Sequence, residues 1–364
     1  MTVLRVGVIG CGAIAQMMHL PFLKKLEERY SLEAVCDVSP GLTKAMAKLY
    51  NIPFWSTDYH DLLKRDIDAV FILTGGSHAE IIIEAANAGK HVFVEKPICF
   101  TPEEGEEVLK TVKETGVKIL VAYMKRYDPA YLKATELARN IEGITYVDAI
   151  VLNPEEAMYM QHYGLKRFKD VDANTIKSFQ EKSKKLATQG VGPAPEHIHF
   201  VYTEVALNSM VHHTNAVRGL LGDPEEILYS KVWNNGNAVE VSFRYPNNVM
   251  FTCTWLFLPD LRNHEENISI YGNNGRLVLG FPSPYLKNHP TRLLVEYMED
   301  GAAVKKDITV SFDEAFEQEQ IHFHDVVTMG VEPRTTPEDA LKDVKICQAI
   351  INCAMTGQGK KLHL

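Results

Sequence analysis

Three groups of residues in this 364-residue chain have the types and spacing that chemistry needs. The first is Gly10-Cys11-Gly12-Ala13-Ile14-Ala15, a G-x-G-x-x-A run that directly follows the apolar stretch Val3–Ile9. In that context Gly10 allows a tight turn, Gly12 lets the backbone approach a pyrophosphate, and Ala15 permits close helix packing. The helix that opens at Ala13 and Ile14 offers unpaired N–H groups and the positive end of its dipole to an anion. Asp37 ends the next apolar run, Leu32–Cys36, where a carboxylate accepts hydrogen bonds from an adenosine ribose diol. That carboxylate would repel a 2′-phosphate, and Val38-Ser39-Pro40-Gly41 supplies no Arg to hold one, so the expected cofactor is NAD rather than NADP. The second group is Glu95-Lys96-Pro97, at the end of the apolar run His91–Val94. A lysine at the carboxyl end of a parallel strand lies where such sheets bind ligands. The third is His212-His213, with Asn208 one helical turn before His212. Histidine is the side chain best suited to take a hydroxyl proton at neutral pH, and two adjacent candidates are present.

These residues need a scaffold, and the hydrophobic pattern supplies one. Up to about residue 122, short apolar runs (Val3–Ile9, Leu32–Cys36, Ala69–Leu73, His91–Val94, Lys118–Ala122) alternate with helical patterns at Ala13–Glu28, Gly41–Tyr50, Ala79–Ala88 and Pro102–Thr115. Alternation of this length predicts a doubly wound parallel sheet with helices on both faces. After Tyr127-Asp128-Pro129 the texture changes. Val239, Val241, Phe243 and Tyr245, then Val249, Phe251, Cys253, Trp255 and Phe257, recur at period two around a Pro246-Asn247-Asn248 turn. With further strands at Ile268–Tyr271, Arg276–Leu279, Leu293–Met298 and Lys305–Val310, this predicts a large, mostly antiparallel open sheet. A long helical pattern near 200–221 leads into it, and two helices, 313–328 and 337–356, follow it. The expected class is α/β, with a nucleotide-binding domain at 1–124 and an α+β substrate-binding domain at 125–364. The polar segment 153–195 reads as a surface excursion.

Composition removes several function classes. A net charge of -9 gives no attraction to nucleic acid or anionic lipid, and no run of 18 apolar residues or leader pattern occurs, so a cytoplasmic protein without nucleic-acid or membrane partners is expected. Six cysteines lack C-x-x-C spacing and read as buried thiols. Glu196-His197-Ile198-His199 places two imidazoles on one face if the segment is a strand, but no third ligand stands at a recognisable spacing, so no metal is expected. His322 and His324 read as surface or interface residues.

The run Gly89-Lys90-His91-Val92-Phe93-Val94-Glu95-Lys96-Pro97 resembles the G-K-H-V-x-x-E-K-P signature of the glucose-fructose oxidoreductase and inositol dehydrogenase family. Thr74 with His78, Arg126-Tyr127-Asp128-Pro129, and the ending Ala349–Gly357 extend the resemblance over essentially the whole chain. It implies a Rossmann domain followed by an α/β domain whose open sheet mediates homodimers or homotetramers, and hydride transfer on a sugar, cyclitol or other polyol. It further implies that Lys96 binds the reacting hydroxyl, that Pro97 carries a cis peptide bond, and that Thr74, His78 and Glu95 border the cofactor. Counting back from Leu220-Leu221-Gly222 aligns His212 with the family's catalytic histidine. Tyr123, Arg126, Asn208 and His213 would then line the substrate site.

The sequence departs from the pattern at Asn208 and Asn215, where the family carries Asp. An amide can orient an imidazole or bind a hydroxyl, but it neither raises a histidine pKa by charge nor accepts a proton. Two other outcomes therefore stand beside a dehydrogenase: redox-neutral elimination of a glycosidic substituent after transient oxidation, and a catalytically idle NAD-binding sensor.

Overall fold

The computed structural model describes residues 2–364, and its contacts group the chain into two compact units. They are not contiguous in sequence. The first holds residues 2–123, 161–192 and 316–344; the second holds 124–160, 193–315 and 345–364. A single crossing near 124, the expectation from sequence texture, is thus one of several. The reason is packing: apolar faces, not chain order, decide which segments share a core.

The first unit is built on six strands, β1 (Leu4–Ile9), β2 (Tyr30–Cys36), β3 (Phe54–Ser56), β4 (Ala69–Ile72), β5 (His91–Glu95) and β6 (Ile119–Ala122). They form a wholly parallel sheet in the order β3-β2-β1-β4-β5-β6. β4 and β6 are buried at every residue, which is why they read as continuous apolar runs and not as alternating ones. The order reverses between β1 and β4, and in such sheets the crevice outside the carboxyl ends at that point is the ligand site. Helix 315–329 supplies Phe323, whose ring meets Phe71 and Phe93 edge-on at 5.6 and 5.7 Å, while Phe71 and Phe93 stack at 4.6 Å. The edge at β6 is closed by Thr335, whose hydroxyl donates to the Val121 carbonyl (2.5 Å) and whose own carbonyl accepts from the Val121 N–H (3.1 Å).

The second unit carries a nine-stranded sheet. Its strands are β7 (Tyr146–Asn153), β8 (Glu226–Trp233), β9 (Ala238–Arg244), β10 (Met250–Phe257), β11 (Glu265–Tyr271), β12 (Gly275–Phe281), β13 (Arg292–Glu299), β14 (Ala302–Thr309) and the short β15 (Lys360–Lys361). The order is β14-β13-β12-β11-β7-β10-β9-β8-β15, antiparallel except for the β7–β10 pair. The β9–β10 hairpin turns through Pro246–Asn248, where Asn247 and Asn248 take the left-handed conformation that asparagine tolerates.

Two local expectations change. The helix that leads into His212 is not regular: Val201–Met210 is π-helical before Val211–Leu221 returns to α. His197 and His199 sit on a helix, Glu196–Phe200, where i and i+2 point apart, so the shared face expected of a strand does not exist. All six cysteines are buried free thiols. No helix among the described residues is long and apolar enough to cross a membrane.

Phe323→Ala is expected to destabilise the first unit by ~3–5 kcal/mol, measured by urea unfolding. A fragment of residues 1–124, lacking Phe323, is expected to show no fixed near-ultraviolet aromatic signal; a native-like signal would mean that 316–344 is dispensable.

Candidate functional site

Gly10 follows β1 with φ at +98°, and a Cβ built on it would lie 2.7 Å from the Leu73 carbonyl carbon at the end of β4. No side chain fits there. Its N–H donates to the Cys36 carbonyl at 2.8 Å, so the turn is pinned to β2 as well. Gly12 differs: a Cβ there would meet nothing within 4 Å, and Gly12 and Ala13 are exposed, with Ile14 half-buried. The glycine loop therefore presents open backbone where a pyrophosphate would approach. Asp37, one residue past β2, accepts hydrogen bonds from the N–H groups of Cys11 (2.8 Å) and Ser39 (2.9 Å). Its carboxylate is thus fixed beside the loop.

Across the order reversal, His78 is fully buried between two carbonyls, with Nδ1 2.6 Å from Pro97 O and Nε2 2.8 Å from Thr74 O. Burial pushes its pKa down against the pull of those carbonyls. A neutral ring donates through only one nitrogen, so one of the two contacts lacks a proton. Thr74 keeps a buried hydroxyl with no hydrogen-bond partner, a group still available to a ligand.

Lys96 is half-buried just beyond β5, and the Lys96–Pro97 peptide is cis, as the resemblance implies. Glu95 is turned inward. Its Oε1 lies 2.8 Å from His19 Nε2, and its Oε2 accepts from the Lys96 N–H at 3.2 Å. Glu319 completes this cluster, with the three ligating atoms within 4.8 Å of one another and both Glu319 oxygens without a hydrogen-bond partner. One nitrogen and two carboxylates make a donor set that a divalent cation accepts. Here, however, the Gln320 amide lies 3.2 Å from His19 Nδ1 and donates to it, so the ring carries its proton on Nε2 and has no lone pair to give there. Burial first, then the Glu95 charge, pushes the Glu319 carboxyl well above the usual range, so it holds a proton. The sequence contained a signal for Glu319: it shares the apolar helix face of Phe316 and Phe323.

Within the second unit, His212 is half-buried at the start of Val211–Leu221, and Asn208 is exposed on the π-helical turn before it. Ser209, between them, accepts from Trp255 Nε1 at 2.9 Å, which ties the segment to β10. Arg126 reaches the Asn215 carbonyl and side-chain oxygens at 3.3 and 3.4 Å, in space that exists because residue 219 is glycine. Two candidates are less accessible than expected. Tyr123 is buried within the first unit, and His213 has no exposed surface at all.

His213 belongs instead to a charged cluster that sequence reading missed. Glu266 on β11 pairs with Lys125 and lies 3.6 Å from Nε2 of both His213 and His264. Burial pushes His213 down to about 4, despite Glu266. Burial alone would raise Glu266, but Lys125 holds it down at about 2. The available signal was parity: Glu266 shares its strand face with the buried Ile268 and Ile270. His324 also departs from expectation, being buried in the first unit with Nε2 2.7 Å from the Thr2 carbonyl.

Residues 4–123 match an oxidoreductase family described by its NAD-binding Rossmann fold. A scyllo-inositol 2-dehydrogenase (NAD(+)) of Bacillus subtilis is 39% identical over 132 residues, 36% of this chain and 38% of that protein. The chain spans about two fifths of the length of the curated relatives it matches. Over 100% of both chains it superposes on the crystal structure of myo-inositol 2-dehydrogenase from Lactobacillus plantarum, with a TM-score of 0.74 at 23% identity. A levoglucosan dehydrogenase in complex with NADH and L-sorbose superposes at 0.78, with 18% identity and 100% of both chains covered. At these identities the likeness concerns the fold.

Two outcomes follow from the geometry. Gly12→Ala is expected to leave the melting temperature unchanged while NADH affinity falls, whereas Gly10→Ala is expected to lower both, the strained turn costing ~1–3 kcal/mol; calorimetry with fluorescence titration separates them. His213 has its folded pKa below the unfolded 6.5, so the unfolded chain binds the extra proton and stability falls as pH drops from about 6.5 towards about 4. The loss is expected to reach up to ~3 kcal/mol and to be flattened in His213→Gln, read by denaturant titrations across that window.

Proposed function

We propose, from the premise that residues 4–123 belong to the oxidoreductase family with an NAD-binding Rossmann fold, that the chain is an NAD-linked dehydrogenase or keto-sugar reductase acting on a secondary alcohol carbon of a sugar, cyclitol or similar polyol. The observation that carries the reading is the seat at the order reversal. Gly10 admits no side chain against Leu73, Gly12 stands open, and the Asp37 carboxylate is held beside them. That arrangement suits a dinucleotide with a free 2′-hydroxyl.

The nicotinamide, when bound, exchanges a hydride with the carbinol carbon. The chain's own residues handle the oxygen and its proton. Lys96 donates a hydrogen bond to the reacting oxygen and steadies the negative charge that grows there as the proton leaves. His212 takes that proton during oxidation and returns it during reduction. Asn208 and Asn215 contribute amides in place of the family's carboxylates, so neither shares the proton-transfer task. Asn208 binds substrate hydroxyls, and Arg126, braced by Asn215, lines the same site. Exposed apolar side chains on the large sheet, among them Leu228, Tyr229, Ile150 and Met298, support a homodimer or homotetramer through that sheet.

The test is absorbance at 340 nm with NAD or NADP against inositols, aldoses, glycosides and keto-sugars. Substrate-dependent turnover is expected with NAD, falling at least ~100-fold in both Lys96→Ala and His212→Ala while NADH binding persists. Tight NADH binding without net turnover, but with release of a glycosidic substituent, would replace this reading with redox-neutral elimination. Unchanged behaviour of Lys96→Ala would leave a nucleotide sensor.

A further inference from the structure

The segment 161–172, read from sequence only as a surface excursion, is laid across the nucleotide end of the first unit. One anchor is Gln16, on the helix that follows the glycine loop. Its side-chain oxygen accepts from the Lys166 N–H at 2.9 Å, and its amide donates to the Lys166 carbonyl at 3.2 Å and to the Cys11 carbonyl at 2.9 Å. The other anchor is the first turn of helix Pro40–Tyr50, which follows β2 and Asp37. There Asp170 accepts from the Ser39 hydroxyl at 2.5 Å and from the Gly41 N–H at 2.6 Å. Phe168 packs on the same turn, so closely that a Cβ on Gly41 would sit 2.5 Å from its ring. The segment therefore bridges the two helix starts that flank Asp37.

That turn is where an adenosine 2′-phosphate would be drawn, because it offers N–H groups and the positive end of a helix dipole next to the ribose-binding carboxylate. Asp170 already occupies it with a negative charge. The Ser39 hydroxyl holds that carboxyl below its usual range, so it is ionised at neutral pH. We infer that Asp170 is a second cofactor-specificity residue, which excludes a 2′-phosphate by filling the anion seat of helix Pro40–Tyr50 and so enforces NAD over NADP together with Asp37. The inference rests on the cofactor reading above and deepens it. The segment also carries Lys166, Arg167 and Lys169, cations that would favour a phosphate if they, and not Asp170, faced it. The two possibilities predict opposite preferences.

The experiment measures NADH and NADPH dissociation constants by fluorescence for the unmodified protein, Asp170→Asn and Asp170→Ala. The expected result is strong preference for NADH in the unmodified protein and a ratio of NADPH to NADH constants that falls about tenfold in both variants, chiefly through tighter NADPH binding. Raising ionic strength from ~0.05 to ~0.5 M is expected to narrow the ratio more in the unmodified protein than in Asp170→Asn, where only the repulsion by Asp37 is left to be screened. A purely structural latch would weaken both dinucleotides alike and leave the ratio unmoved, which overturns the inference while sparing the cofactor reading. Equal NADH and NADPH affinity in the unmodified protein overturns it too, and puts Arg167 or Lys169 on the phosphate. Binding of neither dinucleotide overturns the cofactor reading itself.

Discussion

At Gly10 the end of β1 lies against the end of β4 so tightly that only a hydrogen atom fits between the α-carbon and Leu73. Everything at the nucleotide end is referred to that contact. It turns the chain into the first helix, sets Cys11 so that its N–H meets Asp37, and leaves Gly12 facing outward. It sits where the strand order reverses, so the crevice between diverging chain segments and the bare backbone coincide. Parallel sheets create such crevices by topology alone. Here the absence of one side chain lets the chain turn at that crevice and leaves open backbone beside it.

Each unit also contains a closed set of buried titratable groups, in which burial and mutual contact limit how many charges stay away from water. In the first, the His19 N–H faces Glu95 while Glu319 keeps its proton. In the second, Lys125 neutralises Glu266, and His213 and His264 stay uncharged, both pushed down by burial. These sets lie one residue away from the candidate catalytic groups: Glu95 precedes Lys96, and His213 follows His212. A side chain buried on every side has few alternative rotamers, so it steadies the backbone from which its neighbour projects.

Much of this was legible in the sequence because its causes are local. Alternation of apolar strands with amphipathic helices gave the parallel sheet, period-two alternation from Val239 to Phe257 gave the β9–β10 hairpin, and the glycine spacing gave the tight turn at Gly10 with Asp37 beside it. What escaped depends on partners distant in sequence. Lys125 meets Glu266 across 141 positions, and Asp170 meets Gly41 across 129, so no window contains both members. Strands β3, β7, β8 and β15 were unread: β3 is three residues long and β15 two, and β8 mixes buried and exposed residues irregularly. The π-helical turn at Val201–Met210 escaped because its apolar residues satisfy a helical period equally well in α geometry.

The discontinuous composition of the first unit has a consequence for how the protein comes into being. Its parallel sheet is complete at Ala122, yet the helix that brings Phe323 against Phe71 and Phe93 begins roughly two hundred residues later. At ordinary ribosomal speeds of ~5–20 residues per second, the nascent sheet waits ~10–40 s for its cover. During that interval an aromatic surface faces its surroundings or whatever holds it. The second unit's antiparallel hairpins, by contrast, find their partners close behind them on the chain. Biogenesis therefore leaves the first unit's sheet exposed for a time, and a holdase acting on the emerging chain would find a target there.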